Sequence, residues 1–318
     1  MLPTCPSVTA CVPYFRGKRH IFRAIQSLLA QTHRDLIVIV VNDGDKDPPW
    51  NELASIDDRR LIRFSLTRNH GGPFFANAVV AEAASSPWFL VQEQDDWSTP
   101  DRVARLLQLA VSNGADAAIS AHYFHQQQKD GRCTPIGVRW QHTGRLICPE
   151  HRVSRGCQRC FVDTGLTTEC RHRAPHSGLF RSSALRRIGG YYAGLRLHYD
   201  TLLMNLLLMT GRLAHTQAML YHRLLSPNSL TQARETTFSS AASRAERRTM
   251  AALYERAFTA YQLYVQGQLS SEGLGRTIRR CCHGNIPPIE RQELAFETNR
   301  LRGWLRAQHS PSNSRARE

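Results

Sequence analysis

Apolar positions along the first 125 residues switch repeatedly between two periods. Val8 to Pro13 is rich in β-branched residues and reads as a strand. Ile21, Ile25, Leu28 and Leu29 recur at helical spacing and predict an amphipathic helix. Leu36-Ile37-Val38-Ile39-Val40-Val41 is apolar throughout, the kind of strand a parallel sheet buries on both faces. It stops at Asn42-Asp43-Gly44-Asp45, a turn signal. Arg60 to Leu66 predicts a third strand, and Phe74 to Ala84 a helix opened by Gly71-Gly72-Pro73. Trp88 to Gln92 follows as a strand, Pro100 to Ser112 as a helix and Ala117 to Tyr123 as a fifth strand. Strands alternating with helices imply a parallel, doubly wound α/β sheet with right-handed crossovers.

The rhythm breaks between residues 126 and 176, which are rich in Gly, Arg, His and Cys and read as an insertion. It returns at Ser177 to Gly190, with a helix expected from Thr201 to Thr210 and a strand from His215 to Tyr221. Residues 236–308 are helical in pattern: Met250, Leu253, Tyr254 and Phe258 form one apolar face, and Leu294, Phe296, Leu301 and Leu305 belong to a last helix. Residues 309–318 are polar and expected to be disordered.

The 318 residues suffice for about two domains, or for one large α/β domain with additions. No run approaches the roughly 18 apolar residues of a membrane span, and Met1 to Pro6 lacks the charged start and apolar core of a signal peptide. A cytoplasmic location is the expectation. The formal net charge is +15, from 41 Lys and Arg against 26 Asp and Glu. Such a balance suits nucleic acid, an anionic membrane face or phosphorylated substrates. No RNA-binding motif with interleaved aromatics accompanies it, so nucleic acid is not the expected partner.

Candidate chemistry concentrates in Glu93-Gln94-Asp95-Asp96-Trp97, directly after the apolar run Trp88 to Val91. Carboxylates at the end of a buried strand stand at the carboxyl edge of a sheet, where open α/β folds bind ligands. Clustered carboxylates repel one another and call for protons or a cation; Mg2+ or Mn2+, shared with substrate phosphates, is the usual answer. The competing reading is a helix start, with Asp96 to Thr99 capping the helix near Pro100.

Five short motifs then fall in a familiar order: Val12-Pro13-Tyr14-Phe15-Arg16, Ser27-Leu28-Leu29-Ala30-Gln31-Thr32, Asn42-Asp43-Gly44-Asp45, Asn69 and Gly71 with Asn77, and Glu93-Gln94-Asp95-Asp96 followed by Pro100-Asp101-Arg102. Together they resemble the family 2 glycosyltransferases, inverting enzymes of the GT-A fold that take a sugar from a nucleotide-diphosphate donor. The resemblance covers residues 7 to about 125, and 177 to 232 less closely. It implies a nucleotide-sugar-binding half over residues 1–125, an acceptor-binding half over 177–235, and a helical extension over 236–308. By the resemblance, Pro13, Tyr14 and Phe15 lie under the donor base, and Asp43 accepts a hydrogen bond from a base N–H, favouring uridine or thymidine. As a residue on its own, Asp43 could equally form the turn. Arg68 and Asn77 fall where the family contacts base or phosphates. Glu93 and Asp95 fall at the ribose, and Asp95 with Asp96 at the metal ion. Glu93 departs from the family, where Asp is usual.

A direct displacement needs one carboxylate to take the acceptor proton. The resemblance places it in Leu197-His198-Tyr199-Asp200, after Ile188-Gly189-Gly190-Tyr191-Tyr192, and so on Asp200; Tyr199 replaces the family's Glu. His198 is the competitor, since its ordinary pKa suits proton transfer. Asp200 could also cap the helix expected at Thr201. Downstream, His222 and Arg223 precede Ser226-Pro227-Asn228-Ser229 and have the charge type for diphosphate contact.

Cys148, Cys157, Cys160 and Cys170 crowd into the insertion with one Cys-x-x-Cys. Four thiolates can hold a tetrahedral structural Zn2+, and a segment with few apolar residues has little core of its own to bury. Cys133, His151, His172 and His176 are alternative ligands, free cysteines the other reading, and Cys281-Cys282-His283 is expected at a helix end. Partners implied by the resemblance are the donor and a saccharide, lipid-linked or natural-product acceptor, with a homodimer as an option. Competing functions are a GT-A-like nucleotidyltransferase, for which Arg16-Gly17-Lys18-Arg19 is a poor phosphate loop, a basic zinc-containing nucleic-acid-binding protein, and a non-catalytic family member.

Overall fold

The computed structural model of the protein describes residues 7–128, 133–138, 161–162, 177–225 and 240–308. Strand β1 (Val8–Tyr14) leads through α1 (Lys18–Leu29) to β2 (Leu36–Asn42), then β3 (Leu61–Ser65), α2 (Pro73–Ala83) and β4 (Trp88–Val91). β5 (Trp97–Ser98), α3 (Arg102–Ser112), β6 (Ala117–Gln127), β7 (Cys133–Val138) and β8 (Phe161–Val162) follow. β9 (Leu179–Arg181), α4 (Ser182–Ile188), α5 (Tyr199–Thr210) and β10 (Leu213–Leu225) complete the sheet region. Three helices close the described chain: α6 (Ala241–Val265), α7 (Ser271–Asn285) and α8 (Pro288–Gln308).

The strands join in one sheet of order β3-β2-β1-β4-β9-β6-β10-β5, with β7 on β6 and β8 on β10. β1 pairs in parallel with both β2 and β4, and β2 with β3, so their carboxyl ends share one edge. The all-parallel expectation does not hold beyond β4. β9 runs antiparallel to β4 on one side (Phe89 opposite Phe180) and to β6 on the other (Ala117 opposite Phe180). Three residues are too few to show a period, so a strand this short leaves no sense of direction in the sequence.

Both faces of the sheet are covered, as the continuous apolar runs require. Val8, Ala10, Val12, Val38 and Val40 pack on one side with Ile21, Ile25 and Leu28 of α1 and Val103 and Leu106 of α3. Cys11, Ile37, Ile39, Val41, Phe89 and Val91 face the other side, with α2, α4 and α5. In α5 every residue from Tyr199 to Met209 is buried. A helix apolar all round must be covered on its outer side too. α6 and α7 supply that cover through Leu253, Tyr254, Phe258, Leu274 and Ile278.

Candidate active site

Loops after β1, β2, β3 and β4 meet at the carboxyl edge. The Asp43 N–H donates to the Tyr14 carbonyl (2.8 Å), and the Leu66 N–H to Asn42 (2.9 Å). The turn after β2 is held by Asn42, whose side chain accepts from the Asp45 N–H (3.1 Å) and donates to the Asp45 carbonyl (2.9 Å). That leaves the Asp43 carboxylate for other work. Asp43 is 2% exposed. Its Oδ1 accepts from the His70 N–H (3.0 Å) and lies 3.3 Å from His70 Nδ1, and its Oδ2 accepts from Asn69 Nδ2 (3.2 Å). The His70 ring stacks on Phe75 with centroids 3.6 Å apart. A carboxylate has about four acceptor positions, so Asp43 keeps capacity for a further donor. Gly44 (φ +68°) makes the close approach of the two loops workable: a Cβ there would lie 2.2 Å from the backbone of Arg68 and Asn69.

The acidic loop after β4 is built from below. Arg102 is fully buried, and burial pulls its guanidinium down to about 10. It donates to the carbonyls of Val91 (3.1 Å) and Ser177 (3.0 Å), to Gln92 Oε1 (3.2 Å) and to Ser98 Oγ (2.9 Å). It also lies over the Tyr221 ring, 4.4 Å from its centroid. The Tyr221 hydroxyl accepts from the Glu93 N–H (3.1 Å) and donates to Asp96. Asp96 Oδ1 also accepts from the Leu224 N–H (2.8 Å), so Asp96 joins the loop to β10.

Charge is crowded here. Burial raises the Asp96 carboxyl to about 6, against the pull of Arg223. Asp95, partly exposed, is raised by its desolvated surroundings and then by the charges of Asp96 and Glu93. Carboxyls whose ionised forms are disfavoured by burial and by one another suit a hard divalent cation. Among the described residues no three His, Cys, Asp or Glu side chains converge as a complete metal cage. An ion held by Asp95 and Asp96 would take its remaining ligands from phosphate and water.

Gln94 fastens this loop to the turn after β1. Its Oε1 accepts from the Phe15 N–H (2.9 Å) and its Nε2 donates to the Phe15 carbonyl (3.0 Å). A Cβ at Gly17 would come within 2.4 Å of that amide. The backbone of Phe15, expected to face the base, is thus engaged by Gln94. Tyr14 is buried, and its hydroxyl, pushed up to about 12 by burial and then by Asp45, has no hydrogen-bond partner among the described residues. Pro13 lies within β1, opposite Val41.

α5 begins at Tyr199, two residues earlier than expected, with His198 (φ +59°) as its N-cap. Asp200 therefore sits inside the first turn rather than capping it. It is 8% exposed and accepts from the Thr201 N–H (2.7 Å). Tyr191 and Tyr199 connect it electrostatically to the acidic loop. Burial holds both phenols well above their usual range, and the charges of Glu93 and Asp200 raise both further. His198, the rival base, bonds through Nε2 to Ser243 Oγ of α6 (2.9 Å), and burial lowers its pKa.

Three candidates take other positions. His222 stacks on Trp97 (centroids 5.0 Å, 7°) and on Tyr123, and its Nδ1 is 2.9 Å from His125 Nε2. Strand alternation turns it away from Arg223, which faces the acidic loop. Arg68 is engaged by Glu293 of α8, its Nε donating to Oε1 (2.9 Å). Asn77 is fully buried in α2, and neither amide atom has a hydrogen-bond partner among the described residues. Cys148, Cys157, Cys160 and Cys170, with His151, His172 and His176, lie outside the described residues, as do residues 226–239. Cys133 is partly exposed, 3.6 Å from the Arg23 guanidinium, and Cys282 is buried in α7.

His70, Gln94, Arg102 and Tyr221 are the supports that sequence reasoning missed. Gln92 was read as a strand end, Gln94 as part of the acidic motif and Arg102 as the end of a motif. Their partners, however, come from α1, the turn after β1, and β10.

The sequence matches the family described as glycosyl transferase family 2 over residues 9–188. Succinoglycan biosynthesis protein ExoO of Rhizobium meliloti is 36% identical over 114 residues, covering 36% of this chain and 32% of that protein. An uncharacterized glycosyltransferase of Haemophilus influenzae is 26% identical over 144 residues, covering 44% of this chain and 43% of that one. The chain thus spans less than half the length of these relatives. Residues 1–349 of S. aureus TarS, solved in complex with UDP-GlcNAc, superpose with a TM-score of 0.55 at 14% identity, covering 93% of this chain and 89% of that one. The fold is therefore the GT-A arrangement, and its mixed sheet with a helical C-terminal region is shared with TarS. With the family match extending over more than half of its residues, the chain belongs to glycosyl transferase family 2.

Proposed function

We propose that this protein transfers a sugar from a nucleoside-diphosphate sugar, of the UDP or dTDP type, to an acceptor hydroxyl or amine, with inversion at the sugar carbon. What supports the reading is that Asp43 and the acidic loop follow strands β2 and β4 at the carboxyl edge of the sheet, and that the charges of Glu93 and Asp200 both bear on Tyr191 and Tyr199, whose ring centroids are 5.8 Å apart. TarS, bound to UDP-GlcNAc in its own structure, supports the donor class through shared fold.

Asp43 would accept a base N–H, and Glu93 would contact the ribose. Asp95 and Asp96 would hold a divalent ion, Mn2+ or Mg2+, which when bound neutralises the diphosphate as it departs. Arg223 adds a fixed positive charge to that end. Asp200 is the general base. It takes the acceptor proton as the acceptor oxygen or nitrogen bonds to the sugar carbon, while the bond from that carbon to the diphosphate oxygen breaks on the opposite face. Thr201 N–H donates to Asp200 Oδ1 (2.7 Å), which helps fix the orientation of the carboxylate. His198, tied to Ser243, is the weaker candidate.

A cytoplasmic enzyme acting on a saccharide, lipid-linked or natural-product acceptor is part of this reading. No helix among the described residues is long and apolar enough to cross a membrane. The test is a thermal-shift series with UDP, dTDP and GDP in the presence of Mn2+, followed by Asp200→Asn. Stabilisation by UDP or dTDP is expected, and the variant should keep it while losing transfer by three orders of magnitude or more. No stabilisation by any nucleotide removes the donor site, and an active variant removes Asp200 from the base role.

A further inference from the structure

α8 lies well beyond residues 9–188, yet it reaches the loop that carries Asn69 and His70. Glu293 and Glu297 stand four residues apart and so share one helix face. Glu297 is buried; its Oε1 accepts both the Thr67 N–H (2.9 Å) and the Thr67 hydroxyl (2.6 Å), and Arg300 pairs with its other oxygen. Glu293 receives the Arg68 guanidinium on both oxygens, the geometry of a forked pair. The same Glu293 lies 3.6 Å from His70 Nε2. His70 is thereby enclosed: Phe75 covers its ring, Asp43 lies at Nδ1 and Glu293 at Nε2.

We propose that Glu293 and Glu297 are positioning residues for the nucleotide base, acting through the loop of residues 66–70. The inference rests on the reading of Asp43 as the base contact. Each Asp43 oxygen is aimed by this loop, one by His70 and one by Asn69. The loop in turn is fastened from outside by the two α8 carboxylates. A carboxylate aimed before the ligand arrives spares the ligand the cost of ordering it. α8 thus extends the donor site with residues from the far end of the chain.

The test uses the full chain, with Glu293→Gln as the mild variant, since Glu293 is partly exposed, and Glu297→Gln as the severe one. UDP and inorganic diphosphate are the two probes, each titrated with Mn2+ present. The expected result is a roughly tenfold rise in the Kd for UDP, with diphosphate affinity unchanged, because only UDP carries a base. With a sugar donor, KM should rise by a similar factor and kcat should stay within about twofold. Unchanged UDP affinity in folded Glu293→Gln overturns the proposal. So does equal weakening of UDP and diphosphate, which marks a general loosening of the site. Wild-type protein that binds diphosphate but not UDP, dTDP or GDP overturns the base-contact reading itself, and is told apart from these outcomes by needing no variant.

Discussion

Two buried tyrosines beside the acidic loop differ in the hydrogen bonds of their hydroxyls, and that difference sets opposite expectations for the same substitution. The Tyr221 hydroxyl accepts from the Glu93 N–H and donates to Asp96. The Tyr191 hydroxyl, 2% exposed as a residue, has no hydrogen-bond partner among the described residues. Tyr221→Phe keeps the ring under Arg102 and removes only the oxygen. It leaves the Glu93 N–H without its partner, at about 1–3 kcal/mol, and removes a bond to a carboxylate, at about 1.5–3 kcal/mol. Asp96 retains the Leu224 N–H, so the lower half of the combined range applies, about 3 kcal/mol. Tyr191→Phe removes a hydroxyl that is desolvated without compensation, and should leave stability unchanged or raise it by about 1 kcal/mol. Equilibrium urea unfolding at pH 8, where Asp96 is ionised, measures both. A loss below about 0.5 kcal/mol for Tyr221→Phe, or losses equal in the two variants, would refute the role given to the Tyr221 hydroxyl.

Gly44→Ala should cost about 3 kcal/mol or more, because the left-handed backbone disfavours a Cβ and that Cβ would strike the backbone of Arg68 and Asn69; wild-type unfolding would show that the two loops yield. Acid should weaken the fold through His222. Burial, then His125 and Arg23, lower its pKa to about 4, so between about 6.5 and 4 the unfolded chain binds the extra proton and stability falls as pH falls. His222→Phe keeps the stack on Trp97 and should flatten that part of the pH profile; an unchanged slope would assign the acid sensitivity elsewhere.

Much of the parallel part of the sheet was legible because its strands are buried on both faces and read as unbroken apolar runs, Leu36 to Val41 most clearly. The carboxylates at strand ends were legible for the same reason: Asp43, Asp95 and Asp96 follow immediately where a run stops. The side chains of β10 were harder to assign. Its pairing with β6 shifts register between Thr216 and Met219 and again between Met219 and Tyr221. Each irregularity resets which face a residue takes, so the sequence could not say that Arg223 and not His222 would face the acidic loop. Arg68 was read as a base or phosphate contact, because nothing near it in sequence announces Glu293. The start of α5 was misplaced because His198 enters it in a left-handed conformation, which a residue with a side chain rarely adopts.

β9 has a bearing on how the chain reaches this state. It fills the gap between β4 and β6, although some fifty residues separate it from the end of β6. Strand pairs of such separation close large loops before they gain any bonds, and they form late. During synthesis from the N-terminus, β4 and β6 emerge first and present open edges until residue 181 is available. Open edges of apolar strands invite pairing with other chains. Three residues, Leu179 to Arg181, thus join the β4 edge to β6, while the other edge of β6 waits for β10.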